Sequence, residues 1–190
     1  VQLVTDAFEI RTARLRVRSW REDDFDAYAA MNADPRVMEF FPSVLSREES
    51  EERFARGSAR LAEHGIGFWP VEVVGGVRFI GIVGLARPDF EAPFMPAVEV
   101  GWRLAAEHWG QGYATEAAQG VLAFGFERLG LPEIVSFTTT ANVRSRRVME
   151  KLGMRRAPAE DFLHPLIAEG HPLRPHVLYR LPRQAFRAVP

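Results

Sequence analysis

Apolar and polar residues change their period several times along this chain, and each change marks a predicted element. In TARLRVRSW, Leu15 and Val17 fall on one face and Arg14, Arg16 and Arg18 on the other, the alternation of a half-buried strand. REDDFDAYAAMNADP then places Phe25, Tyr28, Ala29 and Asn32 at helical spacing, with Pro35 just beyond the end. Ser46 and Glu49 form a capping-box pattern that opens a second helix through about Leu61, closed by Gly65 or Gly67. The period then drops to that of strands. FWPVEVVGGVRFIGIVGL reads as a hairpin broken at Gly75-Gly76, and a Pro-rich loop, RPDFEAPFMP, leads into AVEVGWRL. There Val98, Val100, Trp102 and Leu104 alternate with Glu99, Gly101 and Arg103, and a bulge is expected near Gly101.

From Ala114 the helical period returns: Ala114, Ala117, Ala118, Val121, Leu122, Gly125, Phe126 and Leu129 share a face until Gly130 and Pro132. IVSFTT is the next strand. Asn142 caps a short helix, VRSRRVMEKL, which Gly153 ends, and HVLYRL is a last strand. The order predicts a mixed α/β layer structure around one sheet. Residues 1–190 fit one domain by length, without staples.

Composition narrows the classes. A formal net charge of −1 gives no sign of a nucleic-acid or membrane-surface partner. No apolar run reaches the roughly 18 residues of a membrane span, and VQLVTDAFEI lacks the basic-then-apolar pattern of a signal peptide. With zero cysteines, disulfides, thiolate metal sites and a Cys nucleophile are excluded, which fits a reducing compartment. A cytoplasmic protein is the expectation, with monomer and homodimer both open. His64, His108, His164, His171 and His176 show no metal-ligating spacing.

The unusual stretch is HWGQGYATEA, residues 108–117. It sets Gly110 and Gly112 at the mouth of a helix, where glycine costs about 1 kcal/mol each relative to alanine. A helix N-terminus has unpartnered N–H groups and about half a positive charge. Glycines let that backbone close on an anion, so the amides from Gly110 to Thr115 can ring a pyrophosphate. No acidic N-cap precedes Glu116 to compete. An ordinary turn is the other reading. The pattern is neither a dinucleotide fingerprint, since Thr115 replaces its third glycine, nor a P-loop. Asn142 and Ser145 open the next helix after a strand. They are either a plain cap beside a solvated Arg face, with Arg146 paired to Glu150, or the second flank of one long anionic ligand.

EVGWRL, HWGQGYATEA, AN..S..VMEKLGM and HVLYRL, in this order, resemble the GNAT superfamily of N-acetyltransferases, and within it the RimJ/RimL branch. The resemblance spans nearly the whole chain. It implies the acyl-CoA N-acyltransferase fold, a mixed but mostly antiparallel sheet with helices on both faces, and acetyl-CoA as cosubstrate in a V-shaped gap between two strands. By the resemblance, Val100, Trp102, Arg103 and Leu104 line that gap, with backbone groups of Trp102 and Leu104 pairing with pantetheine. Trp109, Gly110, Gln111, Gly112, Tyr113, Ala114 and Thr115 hold the pyrophosphate. Asn142 and Ser145 reach the pantetheine arm and the thioester, and Arg146 or Arg147 meets the ribose phosphate. Two positions depart from the family pattern. Trp109 stands where the family loop begins with Gln or Arg, and Met149 stands where many members carry a Tyr acid. The proton of the leaving thiol then falls to Ser145 or water, or the thiolate leaves unaided.

The expected reaction is direct attack of a primary amine, of a small molecule or a protein N-terminus, on the acetyl carbonyl. Glu99 is the candidate base, with an N–H between Val100 and Trp102 as donor to the oxyanion. Phe40-Phe41-Pro42 and FEAPFMP are candidate acceptor walls, and Glu160, Asp161 and His164 a candidate ammonium lure. A non-catalytic acyl-CoA-binding module and a nucleotide-binding structural protein are the alternatives.

Overall fold

The computed structural model describes residues 8–187. Nine strands form one sheet. In chain order they are β1 (Glu9–Arg11), β2 (Leu15–Arg18), β3 (Phe68–Val73), β4 (Gly81–Ala86), β5 (Glu99–Leu104), β6 (Glu133–Thr139), β7 (Arg155–Arg156), β8 (Phe162–Leu163) and β9 (Pro175–Pro182). The spatial order is β1-β2-β3-β4-β5-β6-β9-β7, with β8 also on β9. Every pairing is antiparallel except β5 with β6.

Four helices cover both faces. α1 (Phe25–Ala33) and α2 (Arg47–His64) pack on one, where Tyr28, Met31, Val37, Met38 and Leu45 meet Ile82 and Phe79. α3 (Tyr113–Ala123) and α4 (Val143–Lys151) pack on the other, over Val83, Leu85, Val100 and Leu104. Strand parity explains the split: neighbours Ile82 and Val83 point to opposite sides, so β4 serves both cores.

Local signals set the element ends. Ser46 Oγ accepts from the Glu49 N–H at 3.1 Å while the Glu49 carboxylate takes the Ser46 N–H, the reciprocal cap the sequence predicts. The α2 helix runs to His64, past the expected Leu61, until Gly65 turns left-handed at φ 69°. Two expectations fail. No bulge interrupts β5 against β4: the register is one-to-one from Gly81↔Leu104 to Ala86↔Glu99. Gly101 is instead there for space, since a Cβ would lie 3.0 Å from the Phe68 ring. Nor is Arg18 on a solvated face. It is 3% exposed and meets Asp24 and Glu72 beneath the turn before α1. No helix among the described residues is long and apolar enough to cross a membrane.

Candidate active site

The site begins where two parallel strands part. β5 and β6 share one bridged pair, Glu99↔Val135, supported by Val135 N–H donating to Val98 C=O at 2.9 Å. In the parallel pattern the return bond takes the Val100 N–H. Beyond it the strands splay. The Ala105 N–H donates to Ile80 on the β4 side at 3.0 Å, so alternation turns the backbone groups of Trp102 and Leu104 toward the gap. One of these is taken: the Trp109 indole donates to Leu104 C=O at 2.8 Å. The Trp102 N–H and C=O, the Val100 C=O and the Leu104 N–H remain to receive an extended ligand. Trp109 therefore props the strand end and does not hold a phosphate with its side chain.

At the wide end of the gap lies the glycine turn. Gly110 and Gly112 have φ of 76° and 81°, the left-handed region that L side chains avoid. Gly112 is the N-cap of α3 and contributes no side-chain cap. Among the described residues, the backbone N–H groups of Gly110, Gln111, Gly112, Tyr113, Ala114 and Thr115 donate to no protein acceptor. So many bare amides at a helix N-terminus make an anion cradle. The acid of the first turn is turned away and neutralised. Glu116 accepts from Thr12 Oγ1 at 2.6 Å and from the Arg14 N–H and Nε at 2.8 and 2.7 Å. Burial pushes its carboxyl up, but those bonds and the Arg14 charge outweigh this and hold it below the ordinary range. Arg14 also binds Gln111 C=O at 3.1 Å and lies over the Tyr113 ring. The Gln111 side chain points away from the gap, toward Glu107 C=O.

On the far flank, Asn142 caps α4 by accepting the Ser145 N–H at 3.1 Å and donates to Thr138 Oγ1 at 3.1 Å. Its polar atoms are spent locally, while the half-buried Ser145 lines the cleft. Arg147 also lines it; Arg146 does not, binding Thr140 C=O and the Tyr179 hydroxyl. The expected Arg146–Glu150 pair is absent among the described residues because Tyr179 stands between and donates to Glu150 at 3.0 Å. Arg144, read as a solvated residue, lies 4.6 Å from the Trp109 ring and 5.4 Å from Phe40, joining α4 to the α1–α2 connection across the cleft mouth. Met149 is 1% exposed and packs into the α3–α4 core, so position 149 does not face the gap.

The cleft has a volume of about 1300 Å³ and runs from the glycine turn, along β5, to a floor beneath α1 and α2. Glu99, Gly101 and Arg103 share the β5 face that looks toward this floor. Burial pushes the Glu99 carboxyl up to about 7, with the Asp89 charge adding to the shift. The Arg103 backbone pairs with β4 and its guanidinium reaches Asn32 Oδ1 at 2.6 Å, so its backbone faces away from the β5–β6 gap and its side chain lies toward α1. Phe40, Phe41 and Pro42 line the cleft as expected. FEAPFMP does not: Phe90 and Phe94 stack with Phe137 and Phe162 in a separate cluster. Glu160 and Asp161 are no ammonium lure, since Arg180 and Arg156 pair with them. His164 reaches the cleft beside the buried His176, whose imidazole burial pulls down to about 4. Sequence reasoning missed Tyr28, Arg53 and Ser58 because their placement depends on how α1 and α2 fold over β5.

A splayed strand pair feeding a glycine-rich helix N-terminus defines an acyl-coenzyme transferase fold. The profile of the acetyltransferase (GNAT) domain matches residues 14–155, and the chain belongs to that family. It is 31% identical over 163 residues to an uncharacterized N-acetyltransferase, YnaD, of Bacillus subtilis, covering 85% of this chain and 89% of the relative. A GNAT-family acetyltransferase from Bacillus anthracis superposes with a TM-score of 0.76 at 26% identity, over 93% of this chain and 99% of that one. Mycobacterium smegmatis RimJ in complex with CoA-disulfide shares the fold at a TM-score of 0.71 and 18% identity, over 94% and 87%. The protein is an acetyl-CoA-dependent acyltransferase.

Proposed function

We propose that this enzyme transfers an acetyl group from acetyl-CoA to a primary amine by direct attack, with Glu99 as general base, and that it belongs to the RimJ/RimL-like branch and works in the cytoplasm. The observation that carries the mechanism is Glu99: a carboxyl held near 7 by burial, on the strand that borders the thioester end of the gap. A base so poised is half ionised at neutral pH and can take the proton that the amine nitrogen sheds as it bonds to the acetyl carbon. Acetyl-CoA supplies the activated acetyl group. The amides of Gly110–Thr115 grip its diphosphate, the free backbone groups of Trp102 and Leu104 align its pantetheine, and the Trp102 N–H receives the developing oxyanion. The Val100 N–H is committed to β6, which leaves Trp102 for that role. Ser145, which lines the cleft at the start of α4, is the side-chain donor for the departing thiolate. Holding two reactants in one cleft supplies much of the rate.

A purely binding role draws no support from Met149, because that side chain packs in the core. The deciding test is Glu99→Gln, read as CoA released from acetyl-CoA and an amine panel. Turnover falls about 100- to 1000-fold while coenzyme affinity is kept. Unchanged turnover removes Glu99 as base.

A further inference from the structure

A buried arginine and a half-buried one make an instructive contrast. Arg18 is fully answered: Nε meets Glu72 at 2.7 Å, and both terminal nitrogens meet Asp24 at 2.8 Å. Arg103 has no carboxylate partner among the described residues. It donates to the neutral amide of Asn32, its guanidinium lies 4.4 Å from the Phe41 ring, and its Nε is buried with no acceptor at all. Asn32 is itself fully buried and pinned by Ser50, so it is a support and not a counter-charge. A half-buried guanidinium that faces no counter-charge and whose Nε is shut off from water without an acceptor is costly unless something else completes it.

That something arrives through the cleft. Arg103, Arg53 and Ser58 all line it, Arg53 without an ion pair among the described residues and Ser58 with a buried, unpartnered hydroxyl. The other charges lining the cleft on this side are Arg56, paired with Glu52, Arg60 and Asp89, paired with each other, Arg87 and Glu99. Along β5 itself, Glu99 stands at one end and Arg103 at the other. Between them lies Gly101, with the Phe68 ring 3.0 Å from where its Cβ would stand on the same face. Four residues of strand separate the two Cα atoms by roughly 13 Å, and the long Arg103 side chain narrows that span.

We infer that the acceptor is a small amine that also carries a carboxylate, its nitrogen presented to Glu99 and its carboxylate seated on Arg103. The inference rests on the acetyl-transfer reading above, and selects within it a small amino acid over a protein N-terminus. A guanidinium fork matches a carboxylate in two parallel bonds.

The test is calorimetry on the CoA-loaded protein with glycine, 4-aminobutyrate and 6-aminohexanoate, each against its own amide, together with spermidine, phosphoethanolamine and an alanyl-seryl peptide amide. At least one amino carboxylate binds about 10-fold or more tighter than its amide and than the other compounds, as a charged hydrogen-bonded contact predicts. The chain length that binds best measures the span. In Arg103→Met the preference shrinks to within about 2-fold while CoA affinity holds; Arg103→Lys retains part of it. Equal binding of acid and amide overturns the inference. So does a better fit for spermidine, phosphoethanolamine or the peptide, binding of no amino carboxylate, or a preference that survives Arg103→Met. Should Arg103→Met lose CoA as well, the acid-against-amide comparison in the wild type decides alone. Released CoA is measured separately: transfer to no amine at all removes the reaction assigned above, yet leaves a measured carboxylate preference standing.

Discussion

At the scale of single residues, the protein separates charges that hold it together from charges that act. Arg18, Asp24 and Glu72 form a buried ionic knot with Arg16 and Arg21 at its edge. Burial raises the Glu72 carboxyl, but its bond to Arg18 and the charges of Arg18, Arg21 and Arg16 outweigh that and hold it below the usual carboxylate range. A depressed carboxyl contributes stability above its unfolded value, and this is lost as pH falls through the folded one. Removing one partner strands the others, so Asp24→Ala lowers stability by about 3–5 kcal/mol in a urea melt. Glu99 has the opposite sign. Its folded value of about 7 lies above the unfolded 4.5, so its contribution is present below pH 4.5 and is lost as pH rises to 7 and beyond. On the proposed mechanism, the ionisation that costs stability also creates the base. With a saturating coenzyme, kcat/KM for the amine rises through an inflection near pH 7, and in Glu99→Gln that inflection disappears.

Among elements, the decisive one is the turn into α3. Its two left-handed glycines shape the amides of Gly110–Thr115 into one concave surface, and Gly112 stands 3.5 Å from an Arg14 nitrogen at the position a Cβ would take. Gly112→Val forces a branched residue into a conformation costing about 1–2 kcal/mol and fills the cradle. CoA affinity measured by calorimetry falls at least about 10-fold while the cooperative melt persists. In the sheet, Gly84 is constrained differently. A Cβ there would stand 1.9 Å from the Gly67 carbonyl oxygen, backbone against backbone, so Gly84→Ala yields little folded protein by circular dichroism. This element level is where the sequence was most legible. The Ser46–Glu49 cap, the Asn142 cap, the Gly65 and Gly153 stops and the strand parity of β5 follow from rules acting over a few residues. What stayed hidden depends on partners distant in the chain. Nothing local says that Arg18 will find Glu72, that Tyr179 will come between Arg146 and Glu150, or that Glu160 will be claimed by Arg180. Arg103 was visible as a residue and its face was readable from parity. Its role changed because α1 supplies Asn32 and the following connection supplies Phe41.

For the whole molecule, one sheet keeps two tasks apart. The face under α3 and α4 is packed with Val83, Leu85, Val100, Ala117, Val121 and Met149, a continuous apolar core. The opposite face has its own smaller core under α1 and α2, and the cleft is cut beside it. On the proposed function, the coenzyme would rest on the better-packed layer and the acceptor on the layer with the smaller core. Regions with less buried apolar surface open at lower free energy. Native-state hydrogen exchange is expected to show α1 and α2 exchanging faster than α3 and β4, with the difference narrowing when an acceptor binds. Uniform protection across both layers before any ligand is added would contradict this division.

The bracket of Thr12, Arg14 and Glu116 carries one more consequence. It ties a loop near the start of the chain to a turn about a hundred residues later. During synthesis the glycine turn emerges long after β2, yet it gains its final shape only once that early loop has docked. Competence to grip the coenzyme therefore waits on that docking, and Thr12→Ala together with Arg14→Ala, which leaves β1 and β2 in place, is expected to keep the cooperative melt and weaken the hold on CoA read by calorimetry.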